Sequence, residues 1–363
     1  MRLNTDIYDE LLIYGGTVWN GIEFLKKDIL IKSGIITKIE DSIEEKATFM
    51  FDANNMIVSS GLIDFHTHIK SISPDSIGIE PQKISYPLGV TSLVDALARK
   101  CDIDVFSEND CDISVLAEAK IIDNKADFSL AEKSISAYND KVIGLKVIFD
   151  KSSANVWNAD PLKEICDFAK KNNLFVMVHT TDSPVSMLEI VNTLNKGDVI
   201  SHAYHGGNNT SAINCFVSLK EAENKGIYID AALSAYYHID YSVFKKSVLQ
   251  NIRPDIISSD ITKTLEFVSG ESYGLPICMS ILNELGLDMS DVFKAVTVKP
   301  AEILKTKANK GFLRVGDVAD IAIFKNKDCN ISLTDRFDNK VVLKKCLKCV
   351  LTLFNDKIVH IDD

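Results

Sequence analysis

The chain has 363 residues, 46% of them hydrophobic and 25% charged, an ordinary globular composition long enough for one large domain and a small one. A formal charge of −11 speaks against nucleic acid as a partner. Residues 1–7 lack a basic stretch followed by an apolar core, and no apolar run approaches ~18 residues, so the reading is a cytoplasmic protein with no membrane partner whose eight cysteines are reduced thiols.

The first 56 residues are β-rich. Residues 10–19 read as a strand interrupted at Gly15-Gly16, and residues 28–39 as a hairpin turning at Ser33-Gly34. Next comes Gly61-Leu-Ile-Asp-Phe-His-Thr-His-Ile69, an apolar run closing on two histidines. Residues i and i+2 of a strand share a face, so His66 and His68 aim at one point, and a divalent metal is the usual reason for two neutral imidazoles to converge. Residues 89–95 and 113–116 supply two more strands. Residues 142–149 form a continuous apolar run around Lys146. An ammonium buried there is costly without a partner. As an alternative to an edge position or an ion pair, carbon dioxide adding to its amine would make an anionic carbamate able to bridge two metals.

Residues 160–172 read as a helix opening on an Asp-Pro cap, with Leu162, Ile165, Cys166 and Ala169 on one face. The runs 174–179 and 198–202 end in His179 and His202, residues 226–230 give a further strand, and the run 254–260 ends in Asp260. Strand–helix alternation at roughly 30 residues per unit predicts an α/β fold, a (β/α)8 TIM barrel over 57–310, with ligands on strands 1, 4, 5, 6 and 8. The last ~50 residues are again β-rich, with turn residues Gly316-Asp317 and a Cys346-x-x-Cys349 that has no second pair at zinc-ribbon spacing.

This pattern of HxH, strand-4 Lys, two strand-end His and a final Asp resembles the amidohydrolase superfamily. Gly89-Val-Thr-Ser-Leu-Val-Asp95, Ser201-His-Ala-Tyr-His-Gly206, Val298-Lys-Pro-Ala-Glu302 and the stretch 311–323 make it most similar to the dihydroorotase-like amidohydrolase/deacetylase group. The resemblance covers nearly the whole chain. It implies that 1–56 and 311–363 pair into one composite β-sandwich domain beside the barrel. It also implies two divalent metals, zinc by default, with His66, His68 and Asp260 on one, His179 and His202 on the other, and carboxylated Lys146 bridging. A metal-bridging hydroxide would cleave an amide or ester, in a deacetylase-like reaction on an N-acyl or O-acyl carboxylate, with Asp260 carrying the proton.

The substrate is a small molecule, and a homo-oligomer is left open. Candidate substrate contacts are Lys70, His205, Tyr236, Tyr237 and His238. The alternative is a dihydroorotase or another cyclic amidase. Those enzymes place an arginine two residues after the second histidine, where this chain has Lys70. One-metal deaminases lack the strand-4 lysine and carry a Glu after the strand-5 histidine, where this chain has Asp182. A non-catalytic homologue would have lost a ligand, and none is lost.

Overall fold

The computed structural model describes residues 9–70, 76–98, 111–150, 155–304 and 310–362; the stretch 1–7 lies outside them. Seven strands pair in parallel and in sequence order: Leu62–Thr67, Val90–Ala98, Asp112–Glu118, Val142–Ile148, Phe175–His179, Val199–Ser201 and Tyr228–Asp230. Parallel neighbours require crossovers. Amphipathic helices provide several of them, such as Asp160–Lys171, which buries Leu162, Ile165, Cys166 and Ala169. Its N-cap is Ala159, one residue earlier than the sequence predicts, and the Asn158 side chain accepts from Asp160 N at 3.1 Å.

The run 254–260 does not form a regular strand. It carries isolated parallel bridges from Ile256 to Asp230 and, one residue past its end, from Ile261 to Thr67, the two free edges of the sheet. Side chains and strain replace a ladder here. Ser259 N donates to the Asp64 carboxylate at 3.0 Å, and Asp260 has φ +48. A buried cluster of Ile63, Phe65, Val94, Leu116, Met177, Val199 and Ile256 draws on most strands, as in a curled sheet that fills its own interior. A register shift between Asp64 and Thr67 lets the first strand give Phe65 to this cluster and His66 to the polar groups beyond it.

The two chain ends meet in a second sheet of eight strands. Glu10–Trp19 lies at its centre, Phe24–Lys32 and Ile35–Glu40 extend it on one side, and Ile57–Ser60, Ile321–Thr334, Lys340–Phe354 and Lys357–Ile361 on the other. It is one continuous sheet rather than two separate ones, and residues of both ends share its core. The Gly15-Gly16 break is a register shift that lets the first half of the strand pair with Phe49–Asp52 and the second with Ile57–Ser60. The Ser33-Gly34 turn has positive φ at both residues, as a type I′ two-residue hairpin requires. Ile57–Ser60 belongs to this sheet, so the passage into the parallel sheet falls at Gly61. A side chain there would strike Thr91 Oγ1 at 2.2 Å. Trp19 links the sheets through a 3.1 Å hydrogen bond to Thr297 and contact with Phe293. No helix among the described residues is long and apolar enough to cross a membrane.

Candidate metal centre

Parallel strands in sequence order bring their C-terminal ends to one side. Four such ends deliver His66, Lys146, His179 and His202, and the bridging segment delivers Asp260. His66 Nε2 and His68 Nε2 stand 3.2 and 3.0 Å from Asp260 Oδ1, and His202 Nε2 stands 3.9 Å from Oδ2. Lys146 Nζ lies 3.1 Å from His66 Nε2 and 3.5 Å from Met177 Sδ. Two triads each gather ligand atoms within 4.8 Å of one another: His66, His68 and Asp260, then His179, His202 and His238. His238 thus joins the strand-end imidazoles.

Strain gathers at the same place. His202 has φ +62, Asp260 φ +48 and Ala235 φ +56. Such backbone costs about 1–3 kcal/mol per non-glycine residue and persists where the surroundings impose it. Partners behind the rings fix their orientation. His66 Nδ1 pairs with Ser201 Oγ at 2.9 Å, His202 Nδ1 donates to Ala232 O at 2.7 Å, and His238 Nδ1 pairs with Thr181 Oγ1 at 3.1 Å. In each ring this leaves Nε2 for the cluster.

Burial, then the Lys146 charge, holds His66 well below the ordinary imidazole value. Burial and the neighbouring imidazoles do the same for His179 and His202. Burial would raise Asp260, but His66, His68 and His202 around it hold it well below the usual carboxylate range. Burial brings Lys146 down to about 8 against the pull of Asp260 and Asp230. Neutral imidazoles beside an ionised carboxylate are a donor set suited to a divalent transition ion.

A cavity of about 460 Å³ opens on these residues, with Asp150, Thr181, Asp182 and Arg336 also in its wall. Of the proposed substrate contacts, His238 lines it; Lys70, His205, Tyr236 and Tyr237 are not among its lining residues. Lys70 instead pairs with Glu80 at 2.5 Å. His205 is buried behind the site, where Nδ1 accepts from Gly207 N at 3.0 Å; burial holds its pKa down to about 4. Tyr236 and Tyr237 pack ring against ring with centroids 4.9 Å apart. Cys346 and Cys349 are free thiols and enter neither triad. Arg336 was not legible in the sequence, because nothing near it in the chain marks it.

The profile of the Amidohydrolase family matches residues 118–355. A deacetylase of Enterococcus faecalis is 26% identical, the match covering 96% of this chain and 98% of the relative. A solved dihydroorotase shares 21% identity with a TM-score of 0.81, covering 98% of each chain. A solved adenine deaminase shares 24% with a TM-score of 0.81, covering 97% of this chain and 100% of the other. At those identities the two structures testify to the fold alone. The profile spans four of the five strand-end or bridging segments that build the site, and the fold around them is shared end to end: the chain belongs to the amidohydrolase family.

Proposed function

We propose that the protein is a metal-dependent hydrolase that cleaves an amide or ester in an open-chain N-acyl or O-acyl compound bearing a carboxylate. The observation that carries this reading is Asp260, whose two oxygens face the two imidazole sets: Oδ1 toward His66 and His68, Oδ2 toward His202. In this reading His66, His68 and Asp260 hold one divalent ion and His179 and His202 the second, with His238 placed to assist. Zinc suits such imidazole-rich sets. Lys146 is buried, and burial brings it down to about 8, so it gives up its proton more readily than an ordinary lysine. Loss of the ammonium proton, then addition of carbon dioxide to the amine with release of a second proton, would replace the buried cation with an anionic carbamate able to hold a divalent ion. The same reading takes the curled sheet and segment 254–260 as a closed (β/α)8 barrel over 61–310, its start moved from 57 because Ile57–Ser60 pairs in the end sheet, flanked by a composite domain of 1–60 and 311–363.

Bound ions supply an acidified water and a polarised carbonyl. The rest falls to the chain. Asp260 accepts the proton of the attacking water and returns it to the leaving nitrogen or oxygen. Ser201, Ala232 and Thr181 keep the rings aimed. Lys70 is not among the cavity's lining residues and pairs at the surface with Glu80, which argues against the carboxylate anchor a cyclic amidase would need there. Lys146 on the fourth parallel strand, a position where one-metal deaminases lack a lysine, argues against a deaminase.

The test is turnover by zinc-loaded protein of N-acetyl amino acids, acetylated hydroxy acids and dihydroorotate. Hydrolysis of an open-chain acyl compound is expected. Turnover of dihydroorotate alone, abolished by Lys70→Ala, would replace this reading with the cyclic amidase.

A further inference from the structure

Strand Ile321–Thr334 leaves the end sheet and strand Lys340–Phe354 returns to it, so the pair extends beyond that sheet. Residues 321–324 pair with Ile57–Ser60, whereas the ladder from 325 to 334 is made with 340–348. This ribbon lies along the parallel-sheet unit: Leu347 N donates to Ser280 Oγ at 2.9 Å, and Lys327 pairs with Glu271 at 2.7 Å. Its turn, 335–339, is pinned by the buried Asp335. That carboxylate accepts from Tyr241 N at 2.8 Å, Phe337 N at 2.8 Å and Asn339 N at 3.0 Å, while Asn339 Nδ2 reaches Asp240 at 3.1 Å. Asp240 caps the helix just after His238. The turn is therefore fastened to the loop that carries one wall of the cavity.

Arg336 sits on that turn and lines the cavity. Apart from buried Lys146, it is the only lysine or arginine among the described lining residues. Its Nη2 donates to Asp182 Oδ2 at 2.9 Å, with the two side chains 41% and 38% exposed. An ion pair that open to water adds little stability, and Asp335 already docks the turn. The guanidinium is thus surplus to holding the ribbon in place. It is a planar fork of five donors, one of which meets Asp182, and it stands at the mouth of a cavity whose ligands would hold the scissile group.

We infer that Arg336 is the anion-recognition residue of this cavity: it binds the substrate's carboxylate through the donors that do not meet Asp182. Specificity for acids is then supplied by a hairpin of the C-terminal segment rather than by Lys70. The inference rests on the hydrolase reading only for which bond is cleaved.

The test measures binding, independently of turnover. N-acetyl-leucine, N-acetyl-phenylalanine and N-acetyl-glutamine are titrated beside their C-terminal carboxamides into zinc-loaded wild type, Arg336→Met, Arg336→Lys and Asp182→Asn, with kcat and KM measured wherever turnover occurs. Wild type should prefer an acid over its carboxamide. Arg336→Met should weaken the acid by about 10- to 100-fold, the range of a lost hydrogen bond to a charged group, and leave the carboxamide unchanged. Arg336→Lys should restore part of the preference as a point charge. Asp182→Asn should keep it or tighten it. Where turnover occurs, the loss should fall on KM. Equal losses for acid and carboxamide, loss of the preference in Asp182→Asn, or no acid binding at all would overturn the assignment. Acid preference lost in Arg336→Met without turnover of any compound would uphold Arg336 and reject the hydrolase reading. Turnover indifferent to Arg336 would do the reverse.

Discussion

At the residue scale, Asp260 has the most demanding position. It is buried, it has a left-handed backbone, and it is shared between two imidazole sets. A ligand that also moves a proton should separate the two tasks when made Asn, because the amide keeps an oxygen donor but cannot act as a base. Asp260→Asn should retain much of its metal while turnover falls by about 10²–10⁴-fold. Metal analysis and kinetics on the same preparation check this, and near-normal turnover would place the proton transfer elsewhere. His66, His68, His179, His202 and Asp260 were legible in sequence because each closes a short apolar run, and Lys146 because a lone lysine sits inside such a run. His238 was legible as a loop residue, but its alignment with His179 and His202 depends on a 3.1 Å hydrogen bond to Thr181. Arg336 was not legible at all, since it reaches the cavity through strand pairing that starts far away in the chain.

At the element scale, the ribbon 325–348 shows why some structure escapes a reading of the sequence. Residues 325–330 of its first strand alternate between half-buried and exposed and carry Lys325, Lys327 and Asp328. That stretch resembles a solvated loop, and only the partner strand and the surface beneath it give it order. The run 254–260 errs in the opposite direction. Its apolar start predicts a strand, but Asp64 takes the Ser259 N–H and Asp230 takes the Ser258 hydroxyl at 2.7 Å, so side chains do the work of a ladder. The pinning of the ribbon is testable. Asp335→Ala leaves the amides of Tyr241, Phe337 and Asn339 without their acceptor and should destabilise the protein by about 1–3 kcal/mol, read from the midpoint of denaturant unfolding. Hydrogen exchange at Tyr241 should quicken. An unchanged midpoint would show that other contacts dock the turn.

At the scale of the whole molecule, the end sheet and the parallel sheet are joined by packing as well as by the chain. Trp19 is buried, donates to Thr297 across the join and lies 4.9 Å from Phe24, ring to ring. Trp19→Ala should cost about 3–5 kcal/mol and, if the two units depend on each other, lower a single unfolding transition; two separated transitions would show independent units. The joint matters for function because the end sheet holds the ribbon that carries Arg336. The centre itself is built from residues more than 190 positions apart in sequence, such as His68 and Asp260, and the proposed divalent ions would tie them together. The most direct measurement is therefore metal content per chain in protein purified without chelator, for wild type and Lys146→Ala. About two divalent ions per wild-type chain, falling in Lys146→Ala, are expected for a binuclear site. One tightly held ion, unchanged by Lys146→Ala, would contradict it.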